Sequence, residues 1–229
     1  MYFNMQRIFF LLMSKSNEDL INLIKIHIAP SVNVEYGDVL PSETEIYDMV
    51  ILWNYHRIIE GLNEKTNFVV FHSSNLPQGK GWAPIFNAIS NNQEFFYVTA
   101  IIANERIDSG DIIAQAKFRL KSNYTAEYIR KWDEEICIIL CSKILNSFKG
   151  QDLKGIKQVG EESFYKRRYP NDNELDDSKS LKEISSFLRA TEDNFLSYFY
   201  IDGEKYFIKV TPENTPVFPK DIEYVIYNN

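Results

Sequence analysis

Apolar residues fall into two rhythms along this chain. Short, nearly unbroken runs recur through the first two thirds: "QRIFFLLM", "IYDMVILW", "FVVF" and "FFYVTAIIA". Runs of that length without alternation predict strands buried on both faces, as in a parallel sheet. "VNVEY" (32–36) and "DIIAQAKFRL" (111–120) add two more strands, the second reached through "NERIDSG". Helical spacing appears in "SNEDLINLIKIHI", where Ser16 with Asp19 forms an N-cap box. It appears again in "PIFNAIS", with Pro84 in the first turn, and in the long amphipathic stretch 125–148. The order is strand, helix, three strands, helix, two strands, long helix. It predicts an α/β fold, a doubly wound Rossmann-like and mostly parallel sheet.

After Gly150 the pattern changes. "GQDLKGIKQVGEES" is polar and "YPNDNELDDSKS" is charged and turn-rich. A helix, "SLKEISSFLRA", and a β-hairpin, "SYFYIDGEKYFIKV", follow, with Asp202-Gly203 at the hairpin apex. The expected division is a domain over 1–150 carrying the chemistry and a C-terminal extension over 151–229. The hairpin is aromatic on both strands. An isolated hairpin is marginal in water, so a packing partner is expected, and a homodimer contact would supply one.

Composition narrows the classes. With 45% hydrophobic and 25% charged residues, the 229-residue chain is ordinary for a globular protein. Its formal charge of −7 argues against a nucleic-acid partner, which would favour a basic face. The apolar run Ile8 to Met13 is too short to span a bilayer and lacks a small-residue cleavage site, so no membrane partner and a cytoplasmic location are expected. Cys137 and Cys141 stand one helical turn apart without further ligands at fitting spacing. They read as buried free thiols, and no metal is expected.

The chemistry gathers in "NFVVFHSSNLPQGKGWAPIFNAI", residues 67–89. An apolar strand ends on His72 and runs into a loop rich in Ser, Pro and Gly. In an open α/β sheet, ligands sit beyond the carboxyl ends of strands, so His72 and the Asp108 loop are candidates to share one cleft. A histidine backed by a carboxylate moves protons near neutral pH. On those two residues alone the plainer reading prevails, with His72 a bonded strand end and Asp108 a turn former.

The surrounding residues shift that balance. "HSSNLPQGKGWAP" resembles the His-x-Ser-x-Leu-Pro-x-x-x-Gly-x-x-Pro signature of the folate-dependent formyltransferases, carried by His72, Ser74, Leu76, Pro77, Gly81 and Pro84. Lys80 stands where that family often has arginine. "IDSGDIIAQ" matches its Asp-x-Gly loop, with Asp108 placed 36 residues after His72. The resemblance covers about residues 7–150. It implies transfer of a formyl group from 10-formyltetrahydrofolate to a primary amine, through a tetrahedral oxyanion that needs hydrogen-bond donors. His72 would donate to that oxygen and Asp108 would position His72 and help carry the amine's proton. The folate would lie between the segment Trp53, Asn54, Tyr55, His56 to Ile58 and the loop Ala103, Asn104, Glu105 to Asp108. One departure is Val70, where the family usually has an asparagine donor. Asn54 and Asn75 are the candidates to replace it, with Asn54 preferred.

The acceptor is read from the rest of the chain. "RRYPNDNELD" and "LRATEDNFLSYFYIDGEKYFI" resemble the C-terminal part of sugar N-formyltransferases. That implies a nucleotide-linked amino-dideoxy sugar as acceptor, for surface glycans such as lipopolysaccharide. Ser74, Lys80, Gly81, Trp82 and Tyr165 are expected around it, with Arg167 and Arg168 on a diphosphate. A methionyl-tRNA acceptor fits poorly with an acidic chain of this length. Glycinamide ribonucleotide is the alternative acceptor. Its enzymes use a glycine loop where this chain has "MSKSNEDL", although Lys15 could hold an anion there. A non-catalytic binder of folate or nucleotide sugars is the other alternative.

Overall fold

The computed structural model describes residues 5–13, 18–57, 59, 62–150 and 153–227. Lys15, Ser16 and Ile58 lie outside the described residues.

One seven-stranded sheet organises the chain, in the order β11-β7-β6-β4-β3-β1-β2. The strands are β1 (Gln6–Leu12), β2 (Val32–Gly37), β3 (Met49–Trp53), β4 (Asn67–His72), β6 (Phe95–Ile102), β7 (Ile112–Arg119) and β11 (Glu223–Ile226). Strands β2, β1, β3 and β4 are mutually parallel. All five residues of β3 are buried, as its unbroken apolar run requires. Strand β6 runs antiparallel to β4, β7 antiparallel to β6, and β11 antiparallel to β7. Most strands therefore point one way, and the sheet is the mostly parallel, Rossmann-like one expected.

The two faces of the sheet differ. One packs Ile8, Phe10, Met49, Ile51, Phe96 and Val98 against α1 (Glu18–Ile26), α2 (Pro84–Ser90) and α3 (Ala126–Ser147). The other carries Phe9, Leu11, Val50, Leu52 and Phe68, covered by Tyr47, Leu40, Tyr55, Ile59 and Leu62 from loops. Among the described residues these helices share one face, a departure from strict double winding. The loop-covered face is the one left open to form a cleft.

The C-terminal stretch is woven into this body. Strand β5 (Lys80–Gly81) pairs in parallel with β8 (Phe164–Tyr165). Ile156 exchanges two backbone hydrogen bonds with Ile112, at 2.8 and 2.9 Å. Helix α4 (Leu181–Ala190) starts on a capping box between Ser180 and Glu183 and docks on α2, with Phe187 edge-on to Phe86 at 5.3 Å. The boundary expected at 150 thus divides the chain by composition rather than by packing. Strands β9 (Ser197–Ile201) and β10 (Glu204–Ile208) form the expected hairpin, with Asp202 and Gly203 both at positive φ. Cys137 and Cys141 are buried free thiols on α3, and burial pushes both thiols up.

Candidate active site

The cleft follows from the period of the strands. Leu52 pairs with Val70, and Val70 with Ile101, so one row across β3, β4 and β6 presents three apolar side chains on the same face. All three line a cleft of about 840 Å³. His72, two residues on from Val70, shares that face at the rim. It is 8% exposed.

His72 is held from two sides. Its Nε2 lies 2.8 Å from the Gly79 carbonyl oxygen, which can only accept, so Nε2 carries the hydrogen. Its Nδ1 faces Asp108 Oδ2 at 3.5 Å. The Gly81 N–H donates to the same Oδ2 at 2.9 Å. The roles expected of these residues are therefore redistributed. The Gly79 carbonyl orients the histidine, and the Gly81 amide orients the aspartate. The Nε2 hydrogen is committed to Gly79, and the Nδ1 side faces the Asp108 carboxylate.

Asp108 reaches His72 by an unexpected route. Strand β6 is antiparallel to β4, so Ile102 at its end pairs with Val69, three residues short of His72. Residues 103–108 then run back beside β4, anchored where the Ala103 N–H meets the Phe68 carbonyl at 2.7 Å. The two residues do lie side by side, but the carboxyl-end argument holds only for His72. Two features fix the loop. Asp108 sits at φ 49°, and a Cβ on Gly110 would stand 1.5 Å from the Ile102 carbonyl oxygen. Gln158 closes it from outside, its amide donating to the carbonyls of Asp108 and Gly110 at 2.9 and 2.8 Å.

Residues 32–136 match the sequence profile of the formyl transferase family. The match covers just under half of the chain and marks a resemblance to that family. A methionyl-tRNA formyltransferase of Lachnospira eligens is 28% identical over 134 residues, which is 58% of this chain and 42% of that protein. The chain spans less than half the length of the first such curated relatives. A 4-N formyltransferase from Francisella tularensis superposes with a TM-score of 0.73 at 22% identity, over 93% of this chain and all of that one. HypX from Aquifex aeolicus, in complex with tetrahydrofolic acid, gives 0.69 at 19% over 90% of this chain and 38% of that one. At these identities the structural likeness is one of fold.

The expected site residues separate into two groups. Asn54, Tyr55, His56, Gly81, Trp82, Ala103, Asn104, Glu105, Asp108, Arg167 and Arg168 line the cleft with His72. Trp53, Ser74, Asn75, Lys80 and Tyr165 do not. Trp53 alternates away from Leu52 and packs between Phe10 and Phe71 on the helix-covered face. Lys80 alternates away from Gly81 and is fully buried, bonded to Glu162 at 2.8 Å and Ser109 at 3.0 Å. Ser74 closes its own turn on the Gln78 carbonyl, and Asn75 accepts from Gln115 at 3.4 Å. The Tyr165 ring lies against Gly79, and its backbone carbonyl packs where Gly81 needs to be bare.

Sequence reasoning missed the far wall. Ser73, adjacent to His72, donates to Asp133 of α3 at 2.8 Å. Burial pushes the Asp133 carboxyl up to about 6, against the Ser73 hydrogen bond and the charge of Arg130. Arg130 grips Glu192 with three hydrogen bonds of 2.8–2.9 Å. Burial, then the positive charge of Arg130, hold His56 below its ordinary range. Arg167 lies over the Trp82 ring at 4.8 Å, and Arg168 over Phe86 at 3.3 Å while donating to Asp172 and Asn173. Among the described residues no cluster of His, Cys, Asp and Glu could hold a metal, and no helix is long and apolar enough to cross a membrane.

Proposed function

We propose that the protein is an N-formyltransferase that takes a formyl group from 10-formyltetrahydrofolate and places it on the amine of a nucleotide-linked amino sugar. The observation that carries this reading is the His72–Asp108 pair, 3.5 Å apart on the rim of one cleft, inside the stretch 32–136 that matches the formyl transferase profile. The cleft suits a flat pterin. Its floor is Leu52, Val70 and Ile101, and its sides are Tyr55, His56 and the Ala103–Asp108 loop.

The amine nitrogen attacks the formyl carbon, the carbonyl oxygen takes the negative charge, and the carbon–N10 bond then breaks. The amine loses one proton and N10 gains one, leaving formamide and tetrahydrofolate. With hydrogen fixed on Nε2 by Gly79, the Nδ1 lone pair and the Asp108 carboxylate face each other. A proton entering between them is bonded by both, so the pair accepts the amine's proton and returns it to N10. Asn54 lines the cleft at the end of β3 and is the side-chain donor for the oxyanion in place of Val70. Asn75, bonded to Gln115 away from the cleft, is not placed for that role.

The acceptor end is built from Trp82, Arg167, Arg168 and Tyr169. Two cations beside aromatic rings suit a diphosphate joined to a base or a sugar. A sugar N-formyltransferase from a Shewanella species shares the fold, with a TM-score of 0.74 at 18% identity over 93% of this chain and all of that one, which supports a sugar amine. The curated matches favour a second reading, a methionyl-tRNA acceptor. The formal charge of −7 weighs against a polyanionic partner. The test is a screen with 10-formyltetrahydrofolate against nucleotide-linked amino sugars, glycinamide ribonucleotide and initiator methionyl-tRNA, read by mass. A gain of one formyl group on a nucleotide sugar is expected. Transfer to either other acceptor alone would replace the sugar reading. Tetrahydrofolate released at the same rate with no acceptor would mark a hydrolase.

A further inference from the structure

Asp133 lies on the cleft one residue over from the catalytic pair, through Ser73. Ser73 donates to Oδ1. Among the described residues no Lys, Arg or His nitrogen comes within ion-pair distance of the carboxylate. The nearest cation, Arg130, stands one helical turn before it on α3, and its guanidinium is already matched by the Glu192 carboxylate. Asp133 is only partly exposed, and a carboxylate so placed usually has a counter-charge. This one has a serine hydroxyl and the open cleft.

We propose that Asp133 is the residue that receives the acceptor's amine as its ammonium cation, and so selects amino over hydroxyl acceptors. The inference rests on the formyltransferase reading and adds to it a specificity-determining group on the acceptor side. The bound ammonium first gives one proton to solvent through the open cleft, and the neutral amine, its lone pair now free, is delivered beside His72; its second proton then passes to N10. Ser73 holds the carboxylate in place without neutralising it. A hydroxyl at the same position leaves the charge uncompensated and binds more weakly.

The alternative is a structural tie between α3 and the end of β4, and the two make opposite predictions. The carboxyl is pushed up to about 6 from 3.8 in the folded chain. The folded state therefore binds the proton more tightly, and stability falls as pH rises through that window. The other titratable groups of this wall are Arg130, Glu134 and Cys137 on α3, Glu192 after α4, His56 after β3 and His72 on β4.

Asp133→Asn keeps the shape and still accepts from Ser73. Without ligand, the variant is expected to melt about 2–6 °C above the wild type at pH 7.5 and level with it at pH 4. A lower melting temperature at pH 7.5 would make Asp133 a structural tie and overturn the proposal. The second measurement is calorimetric binding of thymidine-, uridine- and guanosine-diphosphate hexoses at pH 7.5, each as an amino and a hydroxyl form. The wild type is expected to favour the amino form at least tenfold, and Asp133→Asn to lose that preference. No preference in the wild type, or a preference kept by the variant, would overturn the proposal while leaving the sugar reading intact. Failure of every sugar to bind would overturn both.

Discussion

At the scale of single residues, position within a two- or four-residue pattern decides what each side chain can do. Val70 and His72 share a face because strand side chains alternate, and Trp53 leaves the cleft for the same reason. His72, Gly81 and Asp108 were singled out through the resemblance to a family signature, since His72 and Asp108 by themselves favoured a plainer reading. Asp133 was not. On an amphipathic helix a carboxylate reads as solvated face, and only the folded chain brings it to Ser73. Backbone crowding yields the firmest prediction. Gly110→Ala would put a methyl within 1.5 Å of the Ile102 carbonyl, so the loop must move. A loss of about 2–4 kcal/mol is expected in urea unfolding, with activity falling further than stability. An unchanged midpoint would mean the loop has another way to close. The two asparagines separate more finely. Asn54→Ala should lower the saturated turnover rate at least tenfold, about 10²–10³-fold if its donor is unreplaced, and Asn75→Ala should leave it near normal. Equal effects would remove Asn54 from the oxyanion.

At the scale of elements, the longer strands and helices up to the β9–β10 hairpin were legible from apolar rhythm, whereas the short β5 and β8, the edge strand β11 and strand direction were not. An apolar run is as compatible with an antiparallel neighbour as with a parallel one once both faces are buried. The direction of β6 matters because it sends the Asp108 loop back beside β4. What then holds that loop is the stretch 153–165, which the sequence showed as a polar segment ahead of Tyr165. Ile156 pairs with Ile112, Gln158 bonds two loop carbonyls, and Glu162 pairs with buried Lys80. Gln158→Ala removes two hydrogen bonds worth about 1 kcal/mol each. A drop of roughly tenfold in turnover, with a smaller change in the Michaelis constant for the acceptor, is the expected kinetic result. Unaltered turnover would show that Gly110 and the Ala103 anchor suffice.

At the scale of the whole molecule, the sheet supplies a floor, the end of β4 and the loop after β6 bring His72 and Asp108 together, and α3 with the C-terminal stretch supplies the far wall. The β9–β10 hairpin stands outside this arrangement, with Tyr200, Tyr206 and Phe207 about half exposed or more. An aromatic ribbon of that kind fits a second copy, and light scattering is expected to report a dimer that Phe207→Glu converts to monomer. A wild-type monomer at micromolar concentration would assign the hairpin another role. The central claim is that formyl transfer runs through His72 and Asp108. Its most direct test is amine-dependent release of tetrahydrofolate by the wild type and by Asp108→Asn, with donor and acceptor saturating. The account predicts release matched one for one by formylated acceptor, and a rate about 10²–10⁴-fold lower in a variant that still folds and binds tetrahydrofolate. A folded Asp108→Asn enzyme turning over at the wild-type rate would contradict it.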